Sequence, residues 1–133
     1  ISDNGIGMTE DEVVANIGTI ARSGTASFLN NITGDKKKDS NLIGQFGVGF
    51  YSVFMVADKV EVISKSVFED SDKAILWESS GEEKYKLKEV TKENNGTDII
   101  IYLNDDNKEF AEEGRVRFLL EKYSQYINYY FNI

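Results

Sequence analysis

A two-layer α+β sandwich with a mostly antiparallel sheet is the fold this sequence predicts. Apolar residues recur at helical spacing in the first half of the chain, then alternate at period two between Lys59 and Leu103. A second helical stripe closes the chain, and helices segregated from a run of antiparallel strands make that architecture.

Taken in order, Asp3 to Gly7 reads as an acidic residue closing a buried strand, followed by backbone too tight, or too close to a ligand, for a Cβ atom. Thr9-Glu10-Asp11-Glu12 then opens a helix: Thr9 caps it, Glu12 reciprocates as a capping box, and the acids suit the helix dipole. Val13, Val14, Ile17 and Ile20 supply its apolar face, and Gly18 is the expected stop. Residues 19–25 read as irregular backbone, 27–32 as a short helix, and Lys36-Lys37-Lys38 as a solvated tip. A second glycine cluster, Gly44 to Gly49, leads into a helix expected over Val48 to Ala57.

Strands are expected over Lys59 to Ser66, Ala74 to Ser79, Tyr85 to Val90 and Thr97 to Leu103. The separators Glu69-Asp70-Ser71-Asp72, Ser80-Gly81-Glu82 and Asn94-Asn95-Gly96 are short and turn-like, which predicts an antiparallel meander. Val116, Leu119, Leu120, Tyr123, Tyr126, Ile127 and Tyr130 mark the closing amphipathic helix.

At 133 residues the chain has room for one domain with a real core and not for two. It begins without Met and with a motif underway, so residues 1–133 are expected to be part of a larger domain. A net charge of −8 argues against a nucleic-acid partner, because phosphate contacts need clustered Lys and Arg. No apolar run approaches the roughly 20 residues that span a bilayer, so no membrane partner is expected. With no Cys and no His, thiolate and imidazole chemistry are excluded within these residues, and any chemistry falls to carboxylates, hydroxyls, amides and cations.

Asp-Asn-Gly alone is an ordinary turn signal, and the second cluster lacks both the βαβ setting of a dinucleotide fold and the Gly-Lys-Ser/Thr ending of a Walker loop. Coincidence raises the functional reading: an acid before glycines, a glycine-rich helix start downstream, and Gly96-Thr97 opening a later strand. The triplet resembles the ATP-binding fold shared by gyrase, heat-shock protein 90, histidine kinases and MutL. Within it, Asp3-Asn4-Gly5-Ile6-Gly7-Met8-Thr9, Gly18-Thr19-Ile20-Ala21-Arg22-Ser23-Gly24-Thr25 and Ile43-Gly44-Gln45-Phe46-Gly47-Val48-Gly49-Phe50-Tyr51-Ser52 resemble the heat-shock protein 90 chaperones. Val56-Ala57-Asp58-Lys59-Val60, Trp77-Glu78-Ser79 and Arg115-Val116-Arg117 extend the likeness along the chain. The length between Thr25 and Ile43 resembles the bacterial branch or its mitochondrial relative.

The resemblance implies an ATP- or ADP-binding domain of a dimeric, ATP-hydrolysing chaperone that acts on client proteins, cytoplasmic or mitochondrial. It implies Asp3 as the adenine reader, Gly7 as a close approach to the purine, Met8 and Phe50 as apolar walls, and Thr97 as a water-assisted contact. Asn16 is implied at the sugar and phosphate and Arg22 at the phosphate. Gly44, Gln45, Phe46, Gly47, Val48, Gly49 and Phe50 would turn successive N–H groups toward the phosphates. Each has a plain alternative: a turn cap for Asp3, core packing for Met8 and Phe50, a strand start for Thr97, a solvated helix position for Asn16 and a surface cation for Arg22. The segment between Asn16 and Gly49 is implied as a lid. The family's catalytic Glu and its Mg²⁺-holding Asn lie on a helix expected before residue 1, so no catalytic or metal residue is assigned within 1–133 and this segment alone is expected not to hydrolyse ATP. A binding-only nucleotide module, or another ATPase of the superfamily, is the alternative.

Overall fold

The computed structural model describes residues 1–18, 48–81, 84–124 and 132–133. Helix α1 (Glu10–Val13) continues as a π-helical turn, Val14–Gly18. Helix α2 (Val48–Tyr51) continues as a 3₁₀ turn, Ser52–Met55. Four strands follow, β1 (Ala57–Lys65), β2 (Lys73–Ser79), β3 (Tyr85–Thr91) and β4 (Gly96–Leu103). A 3₁₀ segment at Asp105–Ala111 then leads to α3 (Glu113–Tyr123).

The sheet is antiparallel, but it is not the expected meander. Its order is β3-β2-β1-β4, so β4 returns to the far side of β1, the arrangement of a Greek key. The β3–β4 connection is tied down as it crosses the end of the β1–β2 hairpin: Lys92 N donates to Asp72 O at 2.8 Å, and Lys65 Nζ to Glu93 O at 2.8 Å. Turn chemistry predicts that a strand reverses; it does not choose which edge the next strand joins.

Register puts alternate residues on one face in three rows: Tyr85, Ser79, Val60 and Ile101; Leu87, Trp77, Val62 and Ile99; Glu89, Ile75, Ser64 and Thr97. The middle row is wholly apolar. Val13 and Ile17 join Val60, Val62 and Trp77 in the buried core, and Phe50, Val53 and Phe54 pack against it. Burying each large side chain contributes about 1.5–3 kcal/mol, an upper figure because the unfolded chain already hides some surface. The opposite face carries charge, with Lys59 at 2.7 Å from Glu61 and Lys86 at 3.0 Å from Glu78.

The helix expected over Val48 to Ala57 is shorter than its apolar spacing suggested. One α turn gives way to a 3₁₀ turn, Ser52 Oγ donates back to Gly49 O at 2.6 Å, and Ala57 already pairs with Leu103 in the sheet. At the chain's start the capping box forms as expected, with Thr9 N donating to Glu12 Oε2 at 2.8 Å and Glu12 N to Thr9 Oγ1 at 3.4 Å. Of the closing stripe, Val116 to Tyr123 lie on α3, while Tyr126, Ile127 and Tyr130 fall outside the described residues, as do the elements expected over 19–40.

Candidate functional site

Residues 1–3 run along β4. Ile99 N donates to Ile1 O at 2.7 Å, Asp3 N to Thr97 O at 2.9 Å, and Ser2 bridges Asp98. The acid expected to be buried is exposed, and Asp3 sits at the sheet's edge. Its Oδ1 accepts from Gly5 N at 2.8 Å and from Thr97 N at 3.2 Å, so it caps the turn while holding the start of β4.

Two glycines set how closely this segment lies on the sheet. Gly7 has φ +62, and a Cβ there would stand 1.8 Å from Lys65 O. Gly96 has φ +114, and its Cβ would stand 2.2 Å from Asp3 O. The close approach that the structure shows at position 7 is to β1 backbone.

Beyond Gly7, Met8 N donates to Ser64 Oγ at 2.9 Å, and Ser64 Oγ lies 2.9 Å from Thr97 Oγ1. Asp3, Gly7, Met8 and Thr97 are in this way drawn around the last turn of β1, with Ser64 as the link. Sequence reasoning missed Ser64. The signal was available: it follows Val60 and Val62 on the inward side of an alternating strand, where a polar side chain requires a partner.

Phe50 packs against the core beside Trp77. Its ring meets Trp77 edge-on at 5.8 Å, in the middle row, and both Phe50 and Met8 pack on the core. Core packing, the plain alternative, describes these contacts of Met8 and Phe50. Asn16 is exposed on the π-helical turn, Val48 opens α2, and Gly49 is exposed. Arg22, Gly44, Gln45, Phe46 and Gly47 lie outside the described residues. The segment between them is bracketed by a bond from Tyr51 OH to Ile17 O at 2.5 Å, and a Cβ on Gly18 would touch the Tyr85 ring at 2.8 Å.

A cleft of about 240 Å³ opens beside Met8 and Ser64, bounded by Thr9, Lys73, Ile75 and Glu89. It lies on the β2 side of Ser64, and neither Asp3 nor Thr97 lines it, so it is distinct from the Asp3–Thr97 edge. Electrostatically the site is simple. The N–H and then the hydroxyl of Thr9 hold the Glu12 carboxyl below its ordinary pKa, which ties that acid to capping. Among the described residues no group of three or more His, Cys, Asp or Glu could hold a metal ion, and no helix is long and apolar enough to cross a membrane.

The exposed Asp3 carboxylate and the half-buried Thr97 hydroxyl stand side by side at the end of β4. Comparison with known proteins finds relatives. The chain is 58% identical over 128 residues to the chaperone protein HtpG of Pseudoalteromonas translucida (strain TAC 125), a match covering 96% of this chain and 20% of that protein. It is 54% identical over 129 residues to the chaperone protein HtpG of Hydrogenovibrio crunogenus (strain DSM 25203 / XCL-2), covering 97% of this chain and 20% of the relative. The HtpG of Shewanella halifaxensis (strain HAW-EB4) matches at 53% over 128 residues, with 96% and 20% covered. The chain thus spans about one fifth of the length of these relatives. The profile described as histidine kinase-, DNA gyrase B-, and HSP90-like ATPase matches residues 1–106. With most of its length inside that match, the chain belongs to the histidine kinase-, DNA gyrase B- and HSP90-like ATPase family, on the heat-shock protein 90 branch.

Proposed function

We propose that residues 1–133 are the greater part of a nucleotide-binding domain that takes ATP and ADP within an ATP-hydrolysing molecular chaperone. The observation that carries this reading is the Asp3–Thr97 pairing. Two hydrogen bonds, at 2.9 and 3.2 Å, hold a carboxylate and a hydroxyl side by side on a rigid sheet edge. Oδ1 is spent on Gly5 and Thr97, which leaves Oδ2 outside those bonds as an acceptor for an exocyclic amine. Thr97 offers a hydroxyl beside it, and Gly7 holds the intervening backbone against β1. This donor set suits adenine.

The chain's own residues orient and hold; the nucleotide supplies the phosphoanhydride. Asn16 and Arg22 are assigned to the sugar and phosphate, Met8 and Phe50 to the apolar wall, and the N–H groups from Gly44 to Phe50 to the phosphates. The general base is assigned to sequence outside these residues. Glu12, the acid nearest in sequence to Asn16 on the same helix, is committed to its capping box. Among the described residues no group of three or more His, Cys, Asp or Glu could hold Mg²⁺. Client-protein binding, homodimerisation through domains beyond this chain and a cytoplasmic location are proposed with the chaperone reading, supported by the bacterial HtpG relatives.

Calorimetry of the full-length protein with ADP tests the pocket. Asp3→Asn replaces one acceptor oxygen with a donor, and a loss of about 1.4 kcal/mol or more, tenfold in Kd, is expected. Unchanged affinity would remove Asp3 from the site.

A further inference from the structure

We propose that Ser64 is a positioning residue that fixes the direction of the Thr97 hydroxyl proton and thereby tunes selection of adenine over 6-oxopurines. The inference rests on the nucleotide-binding reading above and adds a residue and a specificity to it.

Ser64 is fully buried, at 0% exposure. Among the described residues its hydroxyl has two polar partners, Met8 N at 2.9 Å and Thr97 Oγ1 at 2.9 Å. A hydroxyl carries one proton and two lone pairs. Met8 N–H is a donor, so Ser64 accepts from it and, among the described residues, has a single outlet for its own proton, Thr97 Oγ1. The opposite arrangement, Thr97 donating to Ser64, leaves the fully buried Ser64 hydroxyl with no acceptor for its proton among the described residues, and buried donors left unmade are costly. Thr97 therefore accepts from Ser64. Being half-buried, it turns its own proton toward the open side.

The edge that results is polarised. Asp3 presents an acceptor and Thr97 a donor, directly or through a water. Adenine offers the complement, an exocyclic amine beside a bare ring nitrogen. Hypoxanthine and guanine offer a carbonyl beside a ring N–H, reversing both positions. Hydrogen-bond sites of this kind reject the mismatched partner because a buried polar group is then left unpaired. The backbone N–H of Met8 completes the arrangement: by occupying one Ser64 lone pair as a donor, it fixes the whole relay from a group that cannot reverse.

The test is calorimetric titration of the full-length protein with ADP and with inosine diphosphate, for wild type, Ser64→Ala and Ser64→Thr. Ser64→Ala releases the Thr97 hydroxyl to rotate, so the ADP-to-IDP affinity ratio is expected to fall about tenfold. Ser64→Thr, which keeps the hydroxyl, is expected to retain the wild-type ratio. A merely structural Ser64 would weaken both nucleotides together and leave the ratio unmoved, and that result in folded Ser64→Ala overturns the proposal. Should Ser64→Ala fail to fold, Ser64→Val, which has the shape of the Thr variant without its hydroxyl, carries the same comparison, and an unchanged ratio there is equally fatal. Wild-type protein that binds neither ADP nor ATP would overturn the nucleotide reading itself, a distinct outcome.

Discussion

At the scale of single residues, the tightest constraint is Gly7. Its φ of +62 is one that side-chain-bearing residues rarely adopt, and a Cβ would collide with Lys65 O, a backbone atom with no freedom to yield. Gly7→Ala is therefore expected to destabilise the fold by about 3 kcal/mol, read as a lowered urea midpoint at constant m. A change under about 0.5 kcal/mol would show that the 1–8 segment does not dock as described. The glycine was legible in the sequence as a site that excludes Cβ, but its neighbour was not. Proximity of residue 7 to residue 65 is a long-range fact that no local pattern encodes. Trp77 is a similar case: its core position follows from strand alternation, while its buried Nε1, unpartnered among the described residues, is visible only in the packed structure.

At the scale of elements, local chemistry decides most. The α1 start follows from Thr9 and Glu12 alone, because a capping box is an interaction within four residues. Thr9→Ala removes the acceptor for Glu12 N and is expected to cost about 1 kcal/mol of stability by chemical denaturation. Pairing it with Glu12→Ala in a double-mutant cycle should give clearly less than the sum, since both act in one box; strict additivity would refute the coupling. The strands also lie near their expected bounds, with alternation clear in β1 and β4 opened by Gly96 after a turn-like separator. The shorter α2 and the 3₁₀ segment at Asp105–Ala111 were not legible. Apolar spacing over Val48 to Ala57 fits a helix, but Ala57 is claimed by its pairing with Leu103 on β4.

At the scale of the whole molecule, charge sets the response to acid. Asp98, on β4, is held below its ordinary pKa first by its hydrogen bond to Lys92 at 2.6 Å and then by Ser2. Glu12, Glu69 and Glu78 are lowered too, chiefly by bonds from Thr9, Ser71 and Lys86. A depressed carboxylate stabilises the fold at pH above its unfolded value, and that stability disappears as pH falls through the folded value. Stability is expected to be flat near neutrality with respect to these groups and to decline below about pH 4, near the unperturbed values of 3.8 and 4.5. Asp98→Asn should flatten part of that acid limb in urea titrations run from pH 3 to 7; an unchanged limb would show that the Lys92 pair is not formed in solution. The sequence by itself determined the α+β class, the strand and cap positions and the family, because periodicity, capping and motif wording are local properties. Only the tertiary structure decided the Greek-key order, the exposure of Asp3, the contact of Gly7 with β1 and the Ser64 link to Thr97. Each of those is a pairing between distant parts of the chain, set by which surfaces meet when the sheet closes its core.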